Sequence, residues 1–251
     1  MRQVLIALSA LFACLATPSF AAKLVTDLSK DQIAIEANFT GDKILLFGAI
    51  DNAAQTAQVD VIVVVRGPAI NALLRKKENQ AGIWLNGSEM TFGAMPSFYS
   101  IASNRPLNEI APSKTLALHE LGVQELEHLP TDTAFTQDEL AEFASAHIRL
   151  KQAQGLYRDD DTGVQIISGR LFRSEITIPT QVPLGEYKID FFLFENGRLT
   201  ATQTSTLAVD FYGIESTVHM LAHEMPLLYG LTGVFLAMFM GWGVATLFRR
   251  I

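Results

Sequence analysis

Hydrophobic and polar positions divide the chain into a short apolar start, a long alternating middle and an apolar end. At the end, Leu227 to Phe248 runs for 22 residues without a charge, enough as a helix to cross the roughly 30 Å hydrocarbon layer of a bilayer. The pattern predicts a transmembrane helix over 227–248, a juxtamembrane segment over 216–226 and a tail over 249–251. Arg249 and Arg250 close the span, and because positive charge resists translocation they place that tail in the cytoplasm. At the start, Arg2, the 13-residue apolar run Val4 to Ala16 and the small residues of Thr17 to Ala22 have the three-part pattern of a secretory signal. The expectation is a signal peptide over 1–21 and a periplasmic domain over 22–215, held at the inner membrane by one pass.

The middle reads mainly as strands. Gln32 to Phe39 alternates polar and apolar, Thr40-Gly41-Asp42 turns the chain, and Lys43 to Ile50 follows, which predicts a hairpin. Val59 to Arg66 is β-branched almost throughout, as suits a central strand covered on both faces, and Gly67-Pro68 stops it. The basic run Arg75-Lys76-Lys77 reads as a solvated edge or loop. Later, Gln165 to Ser168 and Arg170 to Ile178 are strand-like, and Asn196-Gly197 is a type I′ hairpin signal between Tyr187–Phe194 and Arg198–Val209. Tyr187 follows a glycine-containing turn, in the manner of the tyrosine corner of immunoglobulin-like sandwiches.

Between Ala111 and Gly155 the character is helical. Thr136 with Glu139 forms a capping box, and Phe135 with Leu140 is spaced as a hydrophobic staple around it. Leu140, Phe143, His147 and Leu150 then share a stripe, and Gly155 ends the helix. About eight strands and one firm helix near 136–154 make an immunoglobulin-like β-sandwich with an α-helical insertion, plus the C-terminal transmembrane helix.

The most distinctive stretch is Gly82-Ile83-Trp84-Leu85-Asn86, followed by Pro96-Ser97-Phe98-Tyr99-Ser100-Ile101-Ala102-Ser103-Asn104-Arg105-Pro106-Leu107. Together with the later block Leu171 to Leu199, it resembles a family of alphaproteobacterial transmembrane proteins with a signal peptide, a periplasmic domain and a single C-terminal transmembrane helix. The resemblance covers nearly the whole mature chain. It implies an envelope protein, brings no activity with it, and points to sulfite-exporter-like permeases as partners. Physically, Trp84, Phe92, Phe98 and Tyr99 have two readings. The favoured one fills the core between two sheets. In the other, Pro96 to Leu107 is a surface loop on which Phe98, Tyr99, Asn104 and Arg105, with Trp84, meet a partner.

Composition narrows the chemistry. The one cysteine, Cys14, lies in the signal, so the exported domain carries no disulfide, thiol nucleophile or thiolate ligand. A formal charge of −7 with scattered basic residues makes nucleic acid a poor partner. No serine-elbow, zincin or phosphate-loop motif occurs, so no enzyme is expected and no cofactor is assigned. His119 and His128 with Glu120, Glu125 and Glu127 read as a charged linker before a metal site. Asp159-Asp160-Asp161-Thr162-Gly163 lacks the remaining ligands of a calcium loop and reads as a polar turn. His219 and His223, four apart beside the span, share a helical face and are the metal candidates. Inside the span, Gly233, Ala237, Gly241 and Ala245 recur every fourth residue, and such a small-residue stripe is a contact face for another helix. Two functional classes follow: an accessory subunit docked in the bilayer on a polytopic membrane protein, or a periplasmic metal- or redox-handling module built on the juxtamembrane histidines.

Overall fold

Strict alternation does most of the building. In β1 (Lys23–Leu28), β2 (Gln32–Ile35) and β3 (Asp42–Asp51) the apolar positions Leu24, Ile33, Ile44 and Leu46 are buried between exposed neighbours, as one-sided strands require. The computed structural model describes residues 23–36, 39–51, 58–131, 135–211 and 221–248. Within them a mainly β body is followed by one long apolar helix. The remaining strands are β4 (Val59–Arg66), β5 (Ala69–Gln80), β6 (Ile83–Pro96), β7 (Tyr99–Ser103), β8 (Tyr157–Asp160), β9 (Val164–Ile167), β10 (Leu171–Ile178), β11 (Gly185–Glu195) and β12 (Arg198–Phe211).

Three sheets result. One is four-stranded in the order β1-β3-β10-β9, one is six-stranded in the order β2-β12-β11-β4-β7-β8, and β5 with β6 forms a separate two-stranded ribbon. The first two face each other, with the ring of Phe172 on β10 meeting that of Phe191 on β11 at 6.0 Å between centroids. Within the four-stranded sheet, Gly48 in β3 makes room for its neighbours on β1 and β10. A side chain there would come within 2.5 Å of the Val25 carbonyl and 2.6 Å of the Phe172 ring.

β4 lies between β11 and β7, the central place its β-branched sequence predicts. Register pairs Val61, Val63 and Val65 with Leu193, Phe191 and Ile189, facing the smaller sheet, and Ile62 with Phe192 on the opposite face. That opposite face is covered by a helical connection, His119 packing on Phe192 at 5.7 Å. Each of the five fully buried residues Val61 to Val65 adds about 1.5–3 kcal/mol over an exposed position.

Turn chemistry closes as expected at Asn196-Gly197, where φ is +49° and +80° and Glu195 pairs with Arg198. The Tyr187 hydroxyl donates to the Pro183 carbonyl at 2.5 Å, the bond a tyrosine corner makes. The capping box is also present: Thr136 Oγ1 accepts from the Glu139 amide, and Glu139 Oε2 accepts from the Thr136 amide at 2.9 Å.

Three expectations are corrected. Gln32–Phe39 and Lys43–Ile50 do not pair: β2 runs parallel to β12 at one edge of the larger sheet, while β3 crosses to the smaller one. Alternation fixes which face of a strand is buried and leaves its partner open. Of the four aromatics favoured as core, Phe92, Phe98 and Tyr99 are buried and Tyr99–Ser103 is a wholly buried strand, but Trp84 is exposed, because it stands at the tip of the β5–β6 ribbon beyond the packed root. The region 111–155 is not evenly helical. After α1 (Leu107–Ile110) it holds α2 (Ser113–Leu118) and a 3-10 turn at Val123–Glu125 before α3 (Gln137–Ala153). On α3 the buried residues are Phe143, His147 and Ile148. Leu150 stays on their side but is 53 % exposed, because it stands over an open groove of about 340 Å³ beside Leu73 and Lys76 of β5.

The last element is α4 (Pro226–Phe248). Residues 226–246 have a mean hydropathy of 1.7 and none of the window is buried against the body. Its two threonines turn inward on their own helix: Thr232 Oγ1 donates to the Leu228 carbonyl and Thr246 Oγ1 to that of Trp242, both at 3.0 Å. Neither threonine hydroxyl is left unpaired, as a bilayer demands.

Candidate functional site

Four polar or apolar features stand out on this scaffold, and each begins with a residue that breaks the local pattern. The first is Asp60, a lone acid in a β-branched strand and only 1 % exposed. The segment after β7 answers it. Arg105 Nε donates to Asp60 Oδ1 and Nη2 to Oδ2, both at 2.7 Å. Asn104 Nδ2 donates to Oδ1 at 3.0 Å, while its own Oδ1 accepts from the Val61 amide at 2.8 Å. Asn104 and Arg105, candidates for partner contact, are thereby engaged in neutralising a buried charge.

At the end of β4, Arg66 organises the second feature. Its Nη1 donates to Asp190 Oδ2 at 2.5 Å and its Nη2 to the His119 carbonyl at 2.9 Å, and the guanidinium stands 5.7 Å over the Tyr99 ring. The Tyr99 hydroxyl donates to the Glu120 carbonyl at 2.7 Å and accepts from the Gly122 amide at 2.9 Å. Burial holds that phenol well above its usual pKa, opposed by the Gly122 bond and by Arg66. An open cleft of about 890 Å³ lies over Arg66, rimmed by Lys114, Glu125 and Glu127. Both guanidinium ends are held by protein oxygens, so the network fixes the 119–122 loop to the sheet.

The third feature joins two residues far apart in sequence. His128 Nδ1 lies 2.9 Å from the Leu126 carbonyl, so it must carry the proton, and its Nε2 then accepts from Nδ1–H of His147 at 3.1 Å. The His147 ring packs on Tyr157 at 5.5 Å and near Phe92 at 6.2 Å. Its Nε2 is buried with no partner among the described residues. Burial lowers the pKa of His128. Burial first, then the charges of His128 and Lys151, pushes His147 down to about 4. The pair is neutral at pH 7. His119 faces Phe192 and not His128, and among the described residues no group of three or more His, Cys, Asp or Glu side chains is placed to hold a metal ion.

The fourth feature is apolar. At the β5–β6 turn, Ile83, Trp84 and Leu85 are 64 %, 65 % and 45 % exposed, beyond a root where Leu74, Met90, Phe92 and Met95 are buried. Of the sequence candidates for partner contact, then, Trp84 is at the surface. Phe98 packs on Tyr187 at 5.9 Å and, like Tyr99, is interior, as the core reading has it. Gly233, Ala237, Gly241 and Ala245 lie along one side of α4, with open space beside both glycines. The bulky Phe235, Phe239 and Trp242 lie on roughly the opposite side at helical spacing. His219 lies outside the described residues, and with it the His219–His223 pairing.

Asp60, Arg66, Asp190 and the His128–His147 contact were not singled out as a set by sequence reasoning. The available signal was the isolated Asp60 and Arg66 in an otherwise apolar strand.

Residues 23–250 match the model of the family described as "Putative transmembrane protein (Alph_Pro_TM)". No curated protein matches the chain.

Proposed function

The chain belongs to this family of transmembrane proteins, and from that premise we propose that it is a non-enzymatic accessory subunit of a polytopic membrane protein. In this reading the β domain is periplasmic, α4 crosses the inner membrane once, and the C-terminus is cytoplasmic. The apolar run and small residues of the N-terminus and the arginines after the span support that orientation. The observation that carries the docking role is the two-sided character of α4, with small residues along one side and Phe235, Phe239 and Trp242 along the other. Helices in lipid associate by close packing, which small residues allow, while large apolar side chains serve equally well against lipid. A transporter of the sulfite-exporter-like class is the partner the family resemblance implies.

The test is co-purification from native membranes in mild detergent, comparing wild type with Gly241→Ile. The variant keeps the span apolar and leaves the β domain untouched. A polytopic protein recovered with wild type and lost with the variant is the expected result. Equal recovery with both, or none with either, contradicts the proposal.

A further inference from the structure

The β5–β6 ribbon carries more apolar surface than its fold uses. Its root is packed, with Ala72, Leu74, Met90, Phe92 and Met95 buried. Its tip holds three consecutive exposed apolar residues, Ile83, Trp84 and Leu85, after a turn in which Ala81 and Gly82 have φ of +53° and +89°. Because successive side chains on a strand point to opposite faces, Trp84 lies on one side of the tip and Ile83 and Leu85 on the other. The facing strand β5 is polar in the same rungs. Trp84 pairs with Asn79, Leu85 with Glu78, and Asn86 with Lys77, whose Nζ donates to Asn86 Oδ1 at 2.5 Å. Arg75 and Glu89 form an ion pair further down.

Topology says where this ribbon starts. Arg66 at the end of β4 pairs with Lys188 near the start of β11, and Gly185 at that start pairs with Val209 near the end of β12. These strand ends mark one end of the larger sheet. The ribbon leaves from it through Gly67-Pro68, clamped by Gly67 N–H to the Phe98 carbonyl at 2.8 Å and Ser97 N–H to the Pro68 carbonyl at 3.0 Å. The chain also leaves from it for the membrane: β12 ends at Phe211 and α4 begins at Pro226. Residues 221–224 are already helical, so the connection spans at most about 45 Å. The 12-residue β5 is itself about 40 Å long, so the bilayer and the ribbon tip are within reach of each other.

We propose that the Ile83-Trp84-Leu85 tip enters the headgroup region of the bilayer that holds α4, giving the β domain a second membrane contact. A tip with large exposed apolar side chains on both faces suits a surrounding medium, whereas a protein pocket would engage one face. Tryptophan flanked by aliphatic residues belongs at the membrane–water boundary. The insertion is shallow, because a two-stranded ribbon has open backbone edges that hydrocarbon cannot satisfy, and Glu78 and Lys77 stay at the level of the headgroups. The inference rests on α4 being in the bilayer and on no partner subunit, so it stands or falls separately from the docking role.

The test uses the full chain with Trp242→Phe, which leaves Trp84 as the single tryptophan of the two. The protein is reconstituted in vesicles of phosphatidylethanolamine and phosphatidylglycerol with no other protein. Trp84 emission should be quenched by lipids brominated near the headgroup and shielded from aqueous iodide. Adding Ile83→Asp and Leu85→Asp should abolish both effects while circular dichroism stays unchanged. Iodide quenching equal to that of a free tryptophan, with no response to brominated lipid, overturns the proposal. So does shielding that arises only when a partner protein is added, which would make the tip a protein contact.

Discussion

Removing the Arg105 side chain tests whether the segment after β7 exists to neutralise Asp60. In the folded protein Asp60 is 1 % exposed and accepts two bonds from Arg105 and one from Asn104. Arg105→Ala leaves a buried carboxylate with the Asn104 amide alone. Breaking such a pair from one side costs about 3–5 kcal/mol, because the remaining charge is stranded away from water. At about 2–4 °C per kcal/mol for a domain of this size, Tm should fall by about 10 °C. Asp60→Ala should cost less, since Arg105 is 23 % exposed and keeps Glu109 at 3.7 Å. The double variant should therefore lie close to Asp60→Ala. The assay is thermal unfolding by far-UV circular dichroism on the full chain in detergent, as a double-mutant cycle. Additive losses, or an Arg105→Ala loss under about 1 kcal/mol, would show a surface pair of the ordinary kind and refute the reasoning.

Further outcomes follow from the same geometry. His147 has its pKa lowered to about 4, below the ordinary 6.5, so the folded state favours the neutral ring. Its contribution to stability is fully present above about pH 6.5 and is lost as pH falls toward 4. Tm measured from pH 7.5 down to 4 should drop more steeply for wild type than for His147→Phe, and identical profiles would contradict the assignment. Gly48→Ala should destabilise the domain by about 1–3 kcal/mol, because its methyl group meets the Phe172 ring and the Val25 carbonyl; an unchanged urea midpoint would mean that the Phe172 ring and β1 can shift aside there freely.

Much of the fold was legible because it is written in local chemistry. The β-branched run of β4, the Asn196-Gly197 turn, the Thr136–Glu139 box and the 22-residue apolar end each state their structure within a few residues. The ribbon was harder to read, since its turn is Ala81-Gly82 and an alanine at positive φ carries no sequence signal. Strand partnership was harder still: nothing in Gln32 to Ile35 shows that its neighbour is β12, more than 160 residues away. The polar sites failed for the same reason. Asp60 and Arg105, Arg66 and Asp190, and His128 and His147 meet only because the sheet and α3 bring them together. A stripe of small residues on a helix, by contrast, is periodic and needs no tertiary contact to be seen.

The central claim is that one side of α4 packs on a polytopic membrane protein. A photo-crosslinking residue placed singly at Ala237, Gly241, Met238 and Phe239 in living cells measures this directly. The account predicts adducts of one discrete mass with a membrane protein from positions 237 and 241, and lipid adducts or none from 239. Crosslinks of equal yield from every position, or to lipid alone from 237 and 241, would contradict it.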